Sequence, residues 1–126
     1  MIEGVRKVVI EVADQDRALE FWTERMGFAL AQDTPYGDER WLEVRTPDRG
    51  VVLVLSVRRG ELPAAPDMLP TSNVFFYCDD LVRTHEELRL RGVAFPQPPI
   101  EQSFGWWSMF EDQEGNRFAL QTGEAT

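Results

Sequence analysis

Two segments of this chain look alike and lie a fixed distance apart, and that spacing restricts the possible folds more than any other feature. "DQDRALEFWTERMG" begins at a cap-like Asp14 and stops at Gly27; "DDLVRTHEELRLRG" begins at Asp79/Asp80 and stops at Gly92. An acidic residue before an amphipathic run and a glycine after it mark the start and stop of a helix. Each helix follows an apolar, strand-like run. Asp14 and Asp79, Gly27 and Gly92, Trp41 and Trp106, Gly50 and Gly115, and Leu55 and Leu120 are all 65 positions apart. Few residues are identical across the offset, so the repeat rests on spacing. The chain reads as one domain over 1–126, built from two copies of β-α-β-β-β: module one over 5–58 and module two over 72–122. A Pro-rich connector over 59–71, containing "GELPAAPDMLPT", joins them. The expected fold class is α+β: a curled, eight-stranded mixed sheet around a cleft, with the helices outside. The strand after each helix, in "ALAQDTPYG" and "VAFPQPPIEQ", is the loop-rich one of its copy.

Alternation sorts the remaining strands into two faces. Toward the helices point Val8, Ile10 and Val12; Leu42 and Val44; Val51, Leu53 and Leu55; Val74, Phe76 and Cys78; Trp107 and Met109; and Phe118 and Leu120. The opposite face then holds Lys7, Val9 and Glu11; Trp41, Glu43 and Arg45; Val52, Val54 and Ser56; Asn73, Phe75 and Tyr77; Trp106, Ser108 and Phe110; and Arg117, Ala119 and Gln121. So many aromatic and apolar groups are unusual on an open face. An apolar wall with a few polar groups is the usual build of a small-molecule site. A subunit interface is the competing use.

The segments "VVIEVADQDRALEFWTERMGF" (8–28), "NVFFYCDDLVRTHEELRLRGV" (73–93) and "FEDQEGNRFALQ" (110–121) resemble the vicinal oxygen chelate superfamily. That superfamily includes glyoxalase I, extradiol dioxygenases, fosfomycin-resistance enzymes and bleomycin-resistance proteins. The resemblance covers nearly the whole chain, and it implies the fold more firmly than any one chemistry. In metal-using members the ion is chelated from the first and last strands of each copy. Those positions fall here on Lys7, Val54, Asn73 and Ala119. An ammonium repels a cation, Val and Ala have no donor atom, and a lone asparagine oxygen is a weak ligand. The resemblance therefore implies no metal and no other cofactor, as in the bleomycin-resistance branch, whose acidic dimers sequester a cationic drug.

The bulk numbers agree with a binder of small molecules. Thirteen basic and 22 acidic residues give a net charge of −9, which excludes nucleic acid and anionic membrane surfaces as partners. One cysteine excludes an internal disulfide, no apolar run is long enough to span a membrane, and the start of the chain lacks the features of a signal peptide; the cytoplasm is the expected location. His85 stands mid-helix beside Glu86 and Glu87 and reads as solvated; Cys78 reads as a small core residue. The expected function is to hold an aromatic or cationic ligand against Trp41, Phe75, Tyr77, Trp106 and Phe110, with Lys7, Glu11, Glu43, Asn73, Arg117 and Gln121 as polar contacts. "FPQPPIEQSFGWW" (95–107) would serve as a lid or as a rigid loop. Two alternatives stay open. One is an enzyme of lyase, isomerase or dioxygenase type, using Lys7, Glu11, Glu43 or Tyr77 in acid–base work, or an off-pattern metal on Glu11, Glu43 and Gln121. The other is an interaction module whose aromatic face is a dimer interface. A homodimer is expected under each.

Overall fold

The computed structural model describes residues 1–59, 72 and 74–122. The connector at 60–71 and Asn73 lie outside the described residues. The chain divides into two compact units, Met1–Glu61 and Leu62–Thr126. Both belong to the α+β class, and each is an open, four-stranded mixed sheet with a helix on one face.

In the first unit, β1 (Lys7–Val12) leads into α1 (Gln15–Glu20), followed by β2 (Ala29–Tyr36), β3 (Glu39–Arg45) and β4 (Val52–Val57). The sheet order is β1-β4-β3-β2, with β1 and β4 parallel and the remaining pairs antiparallel. Asp14 caps α1 by accepting the Arg17 N–H. The helix continues as a π-helical segment over Phe21–Arg25, where the Met26 N–H donates to the Phe21 carbonyl. A π segment fits one more residue into the same number of turns. Ala18, Phe21 and Trp22 from the helix, with Ile10, Val12, Leu42, Val44, Leu53 and Leu55 from the strands, are buried and form the core. Each such large side chain contributes about 1.5–3 kcal/mol by leaving water.

In the second unit, β5 (Phe75–Cys78), α2 (Leu81–Leu90), β6 (Gln97–Gln102), β7 (Gly105–Glu111) and β8 (Arg117–Thr122) repeat the topology, in the order β5-β8-β7-β6. Asp80 rather than Asp79 is the helix cap, accepting the Arg83 N–H. The helix runs from that cap to Gly92 without a π segment, so it is one residue shorter than the span from Asp14 to Gly27. The segment 95–107, expected as a lid or a rigid loop, instead forms the edge strand β6 and the start of β7. Its prolines are tolerated because an edge strand can leave an N–H position unused, and the register against β7 slips between Gln97 and Ile100, across Pro98 and Pro99. Among the described residues, no helix is long and apolar enough to cross a membrane.

Candidate functional site

The sheet face turned away from α1 carries a three-residue network. Lys7 on β1 stands opposite Val52, Glu43 on β3 stands opposite Val54, and β4 runs between them. The Lys7 ammonium donates to Glu43 Oε2 at 2.6 Å, and the Trp41 indole N–H donates to the same oxygen at 2.6 Å. Glu43 is only 4% exposed, whereas the Lys7 side chain is 42% exposed. Burial alone would raise the Glu43 carboxyl, but the hydrogen bonds from Lys7 and Trp41, with the charges of Lys7 and Arg45, hold it below its ordinary value. Trp41 packs against Tyr36 with ring centroids 5.6 Å apart, and the Lys7 ammonium sits 6.0 Å from the Trp41 ring. Arg45, on the same face as Lys7, flanks Val52 from the other side. Glu11 also lies on this face, exposed and opposite Ser56.

The corresponding face of the second sheet is uncharged at its centre. Register places Phe75 beside Ala119 and Tyr77 beside Gln121, then Met109 opposite Ala119 and Trp107 opposite Gln121, with Arg117 opposite Glu111. Ala119 and Met109 are fully buried; Phe75 and Tyr77 are exposed.

This register corrects two expectations. Trp106 and Phe110 lie on the helix side of the second sheet, and Trp107 and Met109 take their places on the opposite face. Phe110 is fully buried among Phe118, Phe76 and Phe95, with ring centroids 5.4, 5.8 and 6.2 Å away. The physical cause is a one-residue slip, which exchanges the two faces of a strand. The extra residue at Pro98 and Pro99 moves β7 to an offset of 66 from β3, so the partner of Trp41 is Trp107; both are reached from the buried centre of β4 or β8, through Glu43 opposite Val54 and Met109 opposite Ala119. The turn after β7 is one residue shorter than the turn after β3 and restores 65 at β8. No local sequence signal marks these changes of offset, so alternation and spacing alone do not reveal Trp107.

His85 is half-buried against Phe95, ring centroids 4.7 Å apart and nearly perpendicular, and is thus less solvated than expected. Cys78 is half-buried rather than part of the core, and burial pushes its thiol up, which disfavours a nucleophile. Of the four positions that the resemblance assigns to a metal, Lys7 donates a hydrogen bond to Glu43, Val54 is 3% exposed hydrocarbon and Ala119 is fully buried hydrocarbon; Asn73 is outside the described residues. That donor set does not fit a divalent cation. Among the described residues, no three His, Cys, Asp or Glu side chains come together in a way that could hold one.

The profile of the Glyoxalase/Bleomycin resistance protein/Dioxygenase superfamily matches residues 4–120. The protein YetH of Bacillus subtilis (strain 168) is 34% identical over 121 residues, covering 95% of this chain and 98% of YetH. The structure of TnmS3, an antibiotic binding protein from Streptomyces sp. CB03234, superposes with a TM-score of 0.82 at 31% identity, covering 98% of each chain. A superfamily member from Sphaerobacter thermophilus DSM 20745 superposes with a TM-score of 0.83 at 26% identity, covering 97% of this chain and 98% of that one.

Proposed function

The chain belongs to the Glyoxalase/Bleomycin resistance protein/Dioxygenase superfamily, and on that footing we propose that it is a metal-free binding protein for a small aromatic molecule. The observation that carries this reading is the composition of the sheet faces turned away from the helices. Where chelating members place donors, these faces hold an ion-paired lysine and buried hydrocarbon, bordered by aromatic rings. The 31% identity to TnmS3 over 98% of both chains supports a ligand of drug-like size. On the first unit's face Trp41 supplies a flat surface for stacking, with Lys7, Glu11 and Glu43 as polar groups; on the second unit's face Phe75, Tyr77 and Trp107 do so, with Arg117 and Gln121 as polar groups. Acid–base catalysis is the weaker reading, because a carboxyl held below its ordinary value is a poor proton acceptor at neutral pH.

Two measurements test this. After incubation with Fe, Mn, Ni and Zn and exhaustive dialysis, elemental analysis should find no stoichiometric ion. Aromatic compounds of drug size should quench the tryptophan fluorescence saturably. A retained ion that is lost in Glu43→Gln would overturn the metal-free reading, and an unresponsive fluorescence across such compounds would overturn the binding one.

Homodimerisation in the cytoplasm belongs to the same proposal. Val9 on β1 is 61% exposed, and Phe75 and Tyr77 on β5 are 58% and 68% exposed; both strands are sheet edges. Exposed apolar edges of this kind favour a partner strand or face. Sedimentation equilibrium should return twice the chain mass for the wild type, and Val9→Lys or Tyr77→Lys should shift it toward the monomer.

A further inference from the structure

We infer that the first unit selects ligands carrying an anionic oxygen beside an aromatic ring, rather than the aromatic cations that the acidic composition would suggest. The inference rests on the binding reading above and names the class of ligand. On the face turned away from α1, two cations surround one carboxylate. Lys7 spends one of its three N–H bonds on Glu43, and its side chain is 42% exposed. Arg45 flanks Val52 from the other side and makes no direct ion pair among the described residues. Glu43 is 4% exposed, and its Oε2 already accepts two hydrogen bonds. An incoming cation would meet the ammonium and the guanidinium before the carboxylate. An incoming oxyanion would find an unspent N–H on Lys7, with the Trp41 ring centroid 6.0 Å from that nitrogen to hold an attached ring.

The other acids near this face do not reverse the sign. Glu39 is paired with Arg59, and Glu11 lies four residues from Lys7 along β1, opposite Ser56. The net charge of −9 repels anions at long range, but salt at physiological strength screens beyond about 8 Å, and the contacts described here are shorter. Hydrogen bonds to charged groups are also stronger than neutral ones.

Three probes of one shape test this by calorimetry on the full chain in physiological salt: 2-naphthoate, 2-naphthylmethylammonium and 2-naphthalenemethanol. The naphthoate should bind at least about 10-fold more tightly than the ammonium, the worth of one charge-assisted hydrogen bond. Lys7→Gln and Arg45→Gln should each reduce naphthoate affinity by about 10-fold and leave the neutral alcohol nearly unchanged. Arg45→Gln leaves the Lys7–Glu43 pair intact, so the test stands even if Lys7→Gln does not fold. Equal or tighter binding of the ammonium would overturn the inference while leaving the binding reading in place. A naphthoate preference that survives both substitutions would overturn its assignment to this cluster. If none of the three probes binds, both the inference and the binding reading fall.

Discussion

The ammonium of Lys7 and the carboxylate of Glu43 meet at 2.6 Å across the top of β4, although their strands are not neighbours in the sheet. The pair closes over Val52 and Val54, both buried. Breaking it from the lysine side leaves a carboxylate that is 4% exposed with one hydrogen bond, from Trp41. Removing one partner of a fully buried pair costs about 3–5 kcal/mol. Solvent at Lys7 reduces this, and we expect Lys7→Met to cost about 2 kcal/mol in urea unfolding. Lys7→Met combined with Glu43→Gln should recover most of that loss, since no buried charge is then left alone.

The pH dependence of stability follows from the same carboxyl. Its folded-state value lies below the ordinary 4.5, so its contribution is fully present above that pH and is lost as pH falls through the lowered value. Asp33 is lowered by its hydrogen bonds from Arg40 and acts in the same direction, while burial raises Asp112 and makes it act oppositely. The part belonging to Glu43 is therefore the difference between wild type and Glu43→Gln. Thermal melts should show that the wild type loses more stability between neutral pH and the acid range than the variant does. Parallel curves would refute it.

Register separates two adjacent tryptophans into different jobs. Trp107 shares the face turned away from α2 with Met109 and Ala119, whereas Trp106 turns toward the helix side, its backbone N–H donating to the Thr122 hydroxyl at 3.0 Å. Trp107→Phe should remove a large part of the ligand-induced quenching, and Trp106→Phe should leave the apparent affinity within about two-fold of wild type, well under the 1.4 kcal/mol of a tenfold change. The reverse pattern would restore the face assignment drawn from alternation alone.

Arg40 joins helix to sheet, and its two partners should differ in worth. Its Nε and Nη2 both donate to Asp33 at 2.8 Å, and its Nη1 donates to Asp16 at 2.6 Å. The Asp16 side chain is 86% exposed and that of Asp33 34%. Exposed pairs contribute about 0–1 kcal/mol, with the two-point geometry at the upper end. Asp33→Asn should cost about 1 kcal/mol and Asp16→Asn less than about 0.5 kcal/mol, read from urea midpoints.

The two-copy architecture, the Asp14 cap and the faces of β1 and β4 were legible in the sequence, because caps and strand alternation are local signals; the second cap was narrowed only to Asp79 or Asp80, and the 65-residue offset pointed to the wrong one. Ile10 and Val12 are buried while Val9 and Glu11 are exposed, as period two requires. The faces of β7 were not legible. The repeat does not keep one offset: it is 66 from Asp14 to Asp80, 65 after the π segment, 66 after Pro98 and Pro99, and 65 again at β8. Each change is a single residue absorbed by a π turn, a bulge or a loop, and none leaves a compositional mark of the kind a cap does. The partnership of Lys7 with Glu43 was also out of reach as a contact, since 36 residues separate them and only the pairing of both strands with β4 brings them together. Alternation did place both on one face, which is half of the answer.

A charge carried on a lysine side chain behaves differently from a bound ion. It has no dissociation constant, so it cannot be stripped by a chelator, displaced by a competing metal or lost by oxidation. A protein built around Lys7 would keep its positive centre at any metal supply. The exchange also fixes what the centre can do: an ammonium offers hydrogen bonds to an oxygen, but it has no open coordination position with which to polarise two neighbouring oxygens at once.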